Sequence, residues 1–228
     1  VAFGPFPKVP MRLFLAVLPW LTGCATLGTF QSAETVGQGN WEVGIEPSMW
    51  GGIAADTTVL YPHAAVSARV GLSDRFDIGG RVGSGGVEAN AKLGLTDRDA
   101  DVPISVGAGV GGMAVGAAGS SVSILAVHVP VLFGIRTGEN QLVLGPKVHV
   151  YSFGASSGGS AASAALWSLG GSVGYVAGVG PTVKLVPELA FALPVLAAGS
   201  AGTTTDTIGV SDGALLQVGL GIVIGRGD

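Results

Sequence analysis

Few residues in this chain could do chemistry. The histidines are His63, His128 and His149, and none stands at the close spacing of a helical metal motif. Cys24, the one cysteine, sits at the end of an N-terminal apolar stretch, so no metal site and no internal disulfide is expected. Gly107-Ala-Gly-Val-Gly-Gly112 fits the pattern Gly-x-Gly-x-x-Gly. That pattern holds a dinucleotide only where it leaves a strand, opens a helix and is followed by an acid about 20 residues on. Met113 to Ser121 is a poor helix start and Leu125 to Ile135 carries no acid, so these glycines read as small residues facing a crowded interior. No serine, histidine and aspartate arrangement is legible, and no enzyme activity or cofactor is expected. Arg226-Gly227-Asp228 matches an integrin-binding tripeptide, a coincidence at this length. With 11 basic against 15 acidic residues, dispersed along the chain, nucleic acid is not an expected partner.

The elements that position these residues follow from composition and period. Hydrophobic residues make up 48% of the 228 and charged residues only 11%, where a soluble domain carries about 25% charged. From Asn40 onward the chain alternates with period two, the signature of strands whose successive side chains face opposite sides. Val87, Ala89, Ala91, Leu93 and Leu95 make one face, and Glu88, Asn90, Lys92 and Gly94 the other. The same split recurs from Trp41 to Ile224 and predicts about ten strands, the even number that a closed up-and-down barrel needs. Tight turns are expected near Ser73 to Arg75, Thr96 to Asp101, Thr137 to Asn140 and Gly178 to Pro181. Small-residue loops are expected at Gly51 to Thr58, Ser84 to Gly86, Gly116 to Ser120, Ala155 to Ala164 and Ala198 to Asp212. The alternation by itself fits a soluble sandwich too. With the low charge, the signal-like N-terminus and longer loops poor in Lys, Glu and Asp, the fold class expected is all-β, a closed antiparallel transmembrane β-barrel, apolar outside and polar inside. Its lumen-lining residues would be Glu42, Glu46, Arg69, Asp77, Arg81, Glu88, Lys92, Arg136, Lys147, Lys184, Glu188 and Gln217. Acids and bases nearly balance there, so they are expected to pair across a narrow bore and block it. Glycines such as Gly219 and Gly221 would leave room for water.

Met11 to Cys24 carries one basic residue and then an apolar run too short to span a bilayer, the layout of a secretory signal. The ten residues before Met11 read as upstream sequence. Leu21-Thr22-Gly23-Cys24 resembles the bacterial lipobox, and the resemblance implies acylation of Cys24 and cleavage before it. Ala25 after the cysteine implies sorting to the outer membrane. The expected organisation is a leader over 1–24, a periplasmic linker over 25–39 and a barrel over 40–228.

Gly39-Asn40-Trp41-Glu42-Val43-Gly44 and Gly71-Leu72-Ser73-Asp74-Arg75-Phe76-Asp77 resemble strand openings and turns of the outer-membrane β-barrels of Gram-negative bacteria. That resemblance implies outer-membrane lipid and the barrel-assembly machinery as partners, and a structural, adhesive or narrow-pore role. Many barrels of the class end on an aromatic residue, where this sequence reads Gly225 to Asp228. The competing expectation is a periplasm-facing lipoprotein with a β-sandwich or calyx for a small apolar ligand.

Overall fold

In the computed structural model, residues 26–54, 57–117, 120–157, 160–201, 204–208 and 213–225 are described. Residues 1–25, which include Cys24 and the leader expected from the sequence, and residues 226–228 lie outside them. Valine, isoleucine and alternating small residues extend the chain into β1 (Trp41–Ala54), β2 (Thr57–Ser73), β3 (Phe76–Gly83) and β4 (Gly86–Gly94). There follow β5 (Ile104–Ala117), β6 (Ser120–Thr137), β7 (Asn140–Ser157), β8 (Ser160–Gly178), β9 (Val183–Ala201), β10 (Thr204–Ile208) and β11 (Gly213–Gly225).

From β1 to β9 each strand pairs antiparallel with the next, and β11 pairs with both β9 and β1. Glu42 lies opposite Gly225 and Ala54 opposite Gly213 along the closing seam. β1 to β9 with β11 therefore form a closed ten-stranded barrel. β10 pairs with the end of β9, Thr204 opposite Ala201, and heightens the wall there. Closure leaves the ring without an unpaired edge. Among the described residues no helix is long and apolar enough to cross a membrane.

The pleat sorts the side chains as the alternation requires. Val66, Val87, Val110, Val129, Leu169, Leu189 and Leu220 point outward and are exposed. Glu46, Asp77, Arg81, Lys92, Lys147, Glu188 and Gln217 point inward and are buried. The wall is uneven in height. β3 and β4 have 8 and 9 residues, whereas β6 and β7 have 18 each and β8 and β9 have 19 each. One rim carries Asn40, the turns after β2, β4, β6 and β8, and Gly225. The other carries the turns after β1, β3, β5 and β7 and the β9–β11 connection.

Several expected loops are strand instead. Gly51 to Ala54, Thr57 and Thr58, Gly116 and Ala117, Ala155 to Ser157 and Ser160 to Ala164 all continue their ladders. Their sequence lacks an apolar and polar face because no such division is imposed on either side at this height. Backbone pairing, with cross-strand serine bonds such as Ser121 to Ser156, holds them in register. The register shifts once in the tall wall: Trp167 faces Leu196 and Ser168 faces Pro194, so Val195 bulges. A bulge is one of the few strand positions that tolerate proline.

Candidate functional site

The bore is filled by the chain itself. Residues 26–38, expected as a linker outside the barrel, run lengthwise through the bore, and this corrects the sequence reading. Leu27, Phe30, Ala33 and Val36 recur at every third position and are all buried. Leu27 packs with Trp50, Ala190, Ala192 and Leu215. Ala33 packs with Leu132, Val143, Val176, Val186 and Val223. Phe30 takes the space left by two inward glycines. A Cβ on Gly219 would come within 2.7 Å of its ring, and one on Gly221 within 3.1 Å of its Cβ. These glycines make room for a side chain rather than for water.

An extended segment among side chains has a backbone to satisfy, since an unpaired buried N–H or C=O is costly. The inward polar residues of the strands supply the partners. Gln217 Oε1 accepts from the backbone N–H of Leu27 (2.6 Å) and of Gly28 (2.9 Å). Glu188, on the neighbouring β9, accepts from the backbone N–H of Thr29 (2.7 Å) and of Phe30 (2.5 Å). Four successive N–H groups are thus held by two side chains. Phe30 has φ of 48°, a left-handed conformation that bulky residues rarely adopt. Successive N–H groups that converge on an anion in this way make a nest, which fits a carboxylate.

Further along, Gln141 Oε1 accepts from Ala33 N–H (2.8 Å) and Asp77 Oδ2 from Val36 N–H (3.0 Å). The carbonyls are served by bases: Lys147 donates to Leu27, Arg81 to Thr29 (3.1 Å), and Lys92 to Ser32 (3.2 Å) and Glu34 (2.5 Å). At the Asn40 rim the segment meets β2 in a parallel bridge, Gln38 with Gly71. The carbonyl of Gly37 there lies so close that any Cβ at position 71 would collide with it.

The twelve residues read from the sequence as lumen-lining divide by what they touch. Glu42 lies between Arg69 (3.9 Å) and Lys184 (3.0 Å) near the Asn40 rim. Glu46 pairs with Arg81 (2.7 Å), which also reaches Glu88 (3.4 Å). Asp77 faces Lys92 (3.6 Å). Arg136 reaches the side chain of Glu34 within the filling segment (2.8 Å). Asp77, Arg81, Lys92, Lys147, Glu188 and Gln217 bind the segment's backbone. Pairing across the bore is therefore only part of the arrangement. Gln141, Ser48 and Trp50, which the sequence reading did not single out, belong to it as well: Gln217 Nε2 donates to Ser48 Oγ (2.9 Å). The three-residue spacing of Leu27, Phe30, Ala33 and Val36 was the available signal.

The histidines join the inner wall. His128 and His149 have ring centroids 6.0 Å apart, and His149 stacks on Tyr151 at 5.7 Å. His63 lies beside Ser48, 3.4 Å from its hydroxyl. Among the described residues no group of three histidine, cysteine or acidic side chains is placed to hold a metal ion. Ser156 lies in Gly154-Ala155-Ser156-Ser157-Gly158, a Gly-x-Ser-x-Gly spacing. It continues β7, however, and bonds Ser121 across the ladder at 2.8 Å, whereas a nucleophile elbow places its serine at a strand-to-helix turn. Beside the filling segment, a cavity of about 20 Å³ lies among Gly28, Arg81, Lys92 and His128. A space that size holds about one water.

No family model matches the chain, and no curated protein is similar to it in sequence. Solved structures are similar in fold. Neisserial surface protein A is 13% identical, covering 82% of this chain and 99% of its own, with a TM-score of 0.42. Ail, the attachment invasion locus protein of Yersinia pestis, solved with the heparin analogue sucrose octasulfate, is 12% identical over 82% and 99%, with a TM-score of 0.42. OprG from Pseudomonas aeruginosa is 10% identical over 85% and 99%, with a TM-score of 0.41.

Proposed function

We propose that this chain is a bacterial outer-membrane barrel whose bore is closed by its own residues 26–38. In this reading it is a non-conducting scaffold that carries a tall wall of sheet beyond the bilayer. The observation that carries closure is the grip of Glu188 and Gln217 on four successive backbone N–H groups. The two bonds to the Glu188 carboxylate are worth about 1.5–3 kcal/mol each, and the two to the neutral Gln217 amide about 0.5–1.5 kcal/mol each.

A lipid setting is supported by the outward faces. Val66, Val82, Val87 and Leu189 are each more than half exposed. An apolar belt around the whole circumference exceeds what a soluble monomer shows to water. A soluble sandwich or calyx would turn those faces inward. The low wall suits a bilayer, since a membrane strand needs about 9–11 residues. β6 to β9 have nearly twice that length. Their ends carry paired exposed serines, Ser120 with Ser157 and Ser163 with Ser200, as expected of sheet standing in water. The lipobox-like Leu21 to Cys24 supports export and acylation at Cys24, with outer-membrane lipid and the assembly machinery as partners.

Purified protein in planar bilayers tests closure. The full chain should show no steady conductance, and a variant lacking residues 26–38 should conduct. Steady conductance by the full chain would overturn this reading.

A further inference from the structure

The filling segment has a direction. It enters beside Asn40, where Gln38 bridges Gly71 and Val36 N–H meets Asp77, one residue inside that rim on β3. It then passes Arg81 at Thr29. Thr26 lines a small space with His63, Arg81, Gly83, Gly85 and Gly86, at the β3–β4 hairpin. That hairpin belongs to the opposite rim and is the lowest part of it, because β3 and β4 have only 8 and 9 residues. Thirteen extended residues reach up to about 43 Å at ~3.3 Å each, ample to cross an apolar band about 25 Å tall.

We propose that residues 26–38 thread the barrel from the Asn40 rim to the opposite rim, so that Thr26 lies at the β3–β4 edge on the side of the membrane where the tall wall projects. Thr26 is thus presented on the side opposite Asn40 and the β6–β7 turn at Gly138.

This inference rests on the closed bore but makes a separate claim about sidedness. Epitopes are placed, in separate full-length variants, between Ala25 and Thr26, in the β6–β7 turn at Gly138, and in the β7–β8 turn. Antibody labelling of intact cells and of permeabilised cells reads the side of each. The tag before Thr26 should behave as the β7–β8 tag does and opposite to the Gly138 tag. The same side as Gly138 overturns threading, whereas a conducting wild-type barrel overturns the closed bore itself. Because an inserted tag could itself hinder threading, a second readout uses Thr26→Cys paired with Gly85→Cys or with Gly138→Cys. A short bifunctional maleimide is applied, and adducts are assigned by peptide mass mapping so that Cys24 is distinguished. Threading gives the 26–85 adduct and not the 26–138 adduct; absence of the 26–85 adduct overturns it.

Discussion

Replacing Glu188 by alanine removes the acceptor for the backbone N–H groups of Thr29 and Phe30. Both groups lie on buried residues, Thr29 and Phe30 being 4% and 2% exposed. An orphaned buried donor costs about 1–3 kcal/mol, so the closed state loses about 2–6 kcal/mol. At about 1.4 kcal/mol per factor of ten, the ratio of filled to unfilled bore falls by roughly 30-fold to 10⁴-fold. The left-handed Phe30 adds to this, since strain of about 1–3 kcal/mol is no longer offset by its anchor. Single-channel recording should show a silent wild type and intermittent openings for Glu188→Ala. The temperature at which the barrel loses its folded electrophoretic mobility should fall. Glu188→Gln keeps the size and one acceptor oxygen, so its effect should be clearly smaller. A Glu188→Ala barrel that is silent and melts like wild type, while the variant lacking 26–38 conducts, would refute this account of how the segment is held.

Three further outcomes are expected. Gly219→Ala places a Cβ 2.6 Å from Ser48 Cβ and 2.7 Å from the Phe30 ring, so it should destabilise the filled state and raise conductance; adding Phe30→Ala should recover part of the loss in a double-mutant cycle. Leu220→Arg and Val129→Arg put a charge on an outward face, at about 2–4 kcal/mol each near the bilayer midplane, and should impair folding into vesicles; normal insertion of both would refute the outward assignment. Cys24→Ser should abolish incorporation of labelled fatty acid and processing at that position, as read by intact-protein mass spectrometry.

Period-two alternation determines strands with one apolar and one polar face, which fit a sandwich as well as a barrel, and the low charge count and signal-like N-terminus point to the barrel. Val87 to Leu95 states this within nine residues, without reference to the rest of the chain. The inward placement of Arg81, Lys92, Glu188 and Gln217 follows from the same parity. The height of the wall did not follow. Above the apolar band both faces of a strand meet the same medium, so Ala155 to Ala164 lost the alternation and looked like loop. The filling of the bore could be settled only in three dimensions. Gln217 meets Leu27 across 190 positions and Glu188 meets Thr29 across 159. Which acceptor reaches which N–H is set by the stagger of ten strands around the ring, and each strand's sequence sets only its own facing. A local reading therefore saw charges that needed partners and supplied them from one another. In the fold, the backbone of Thr26 to Gln38 supplies many of those partners, and the strand register brings the two together.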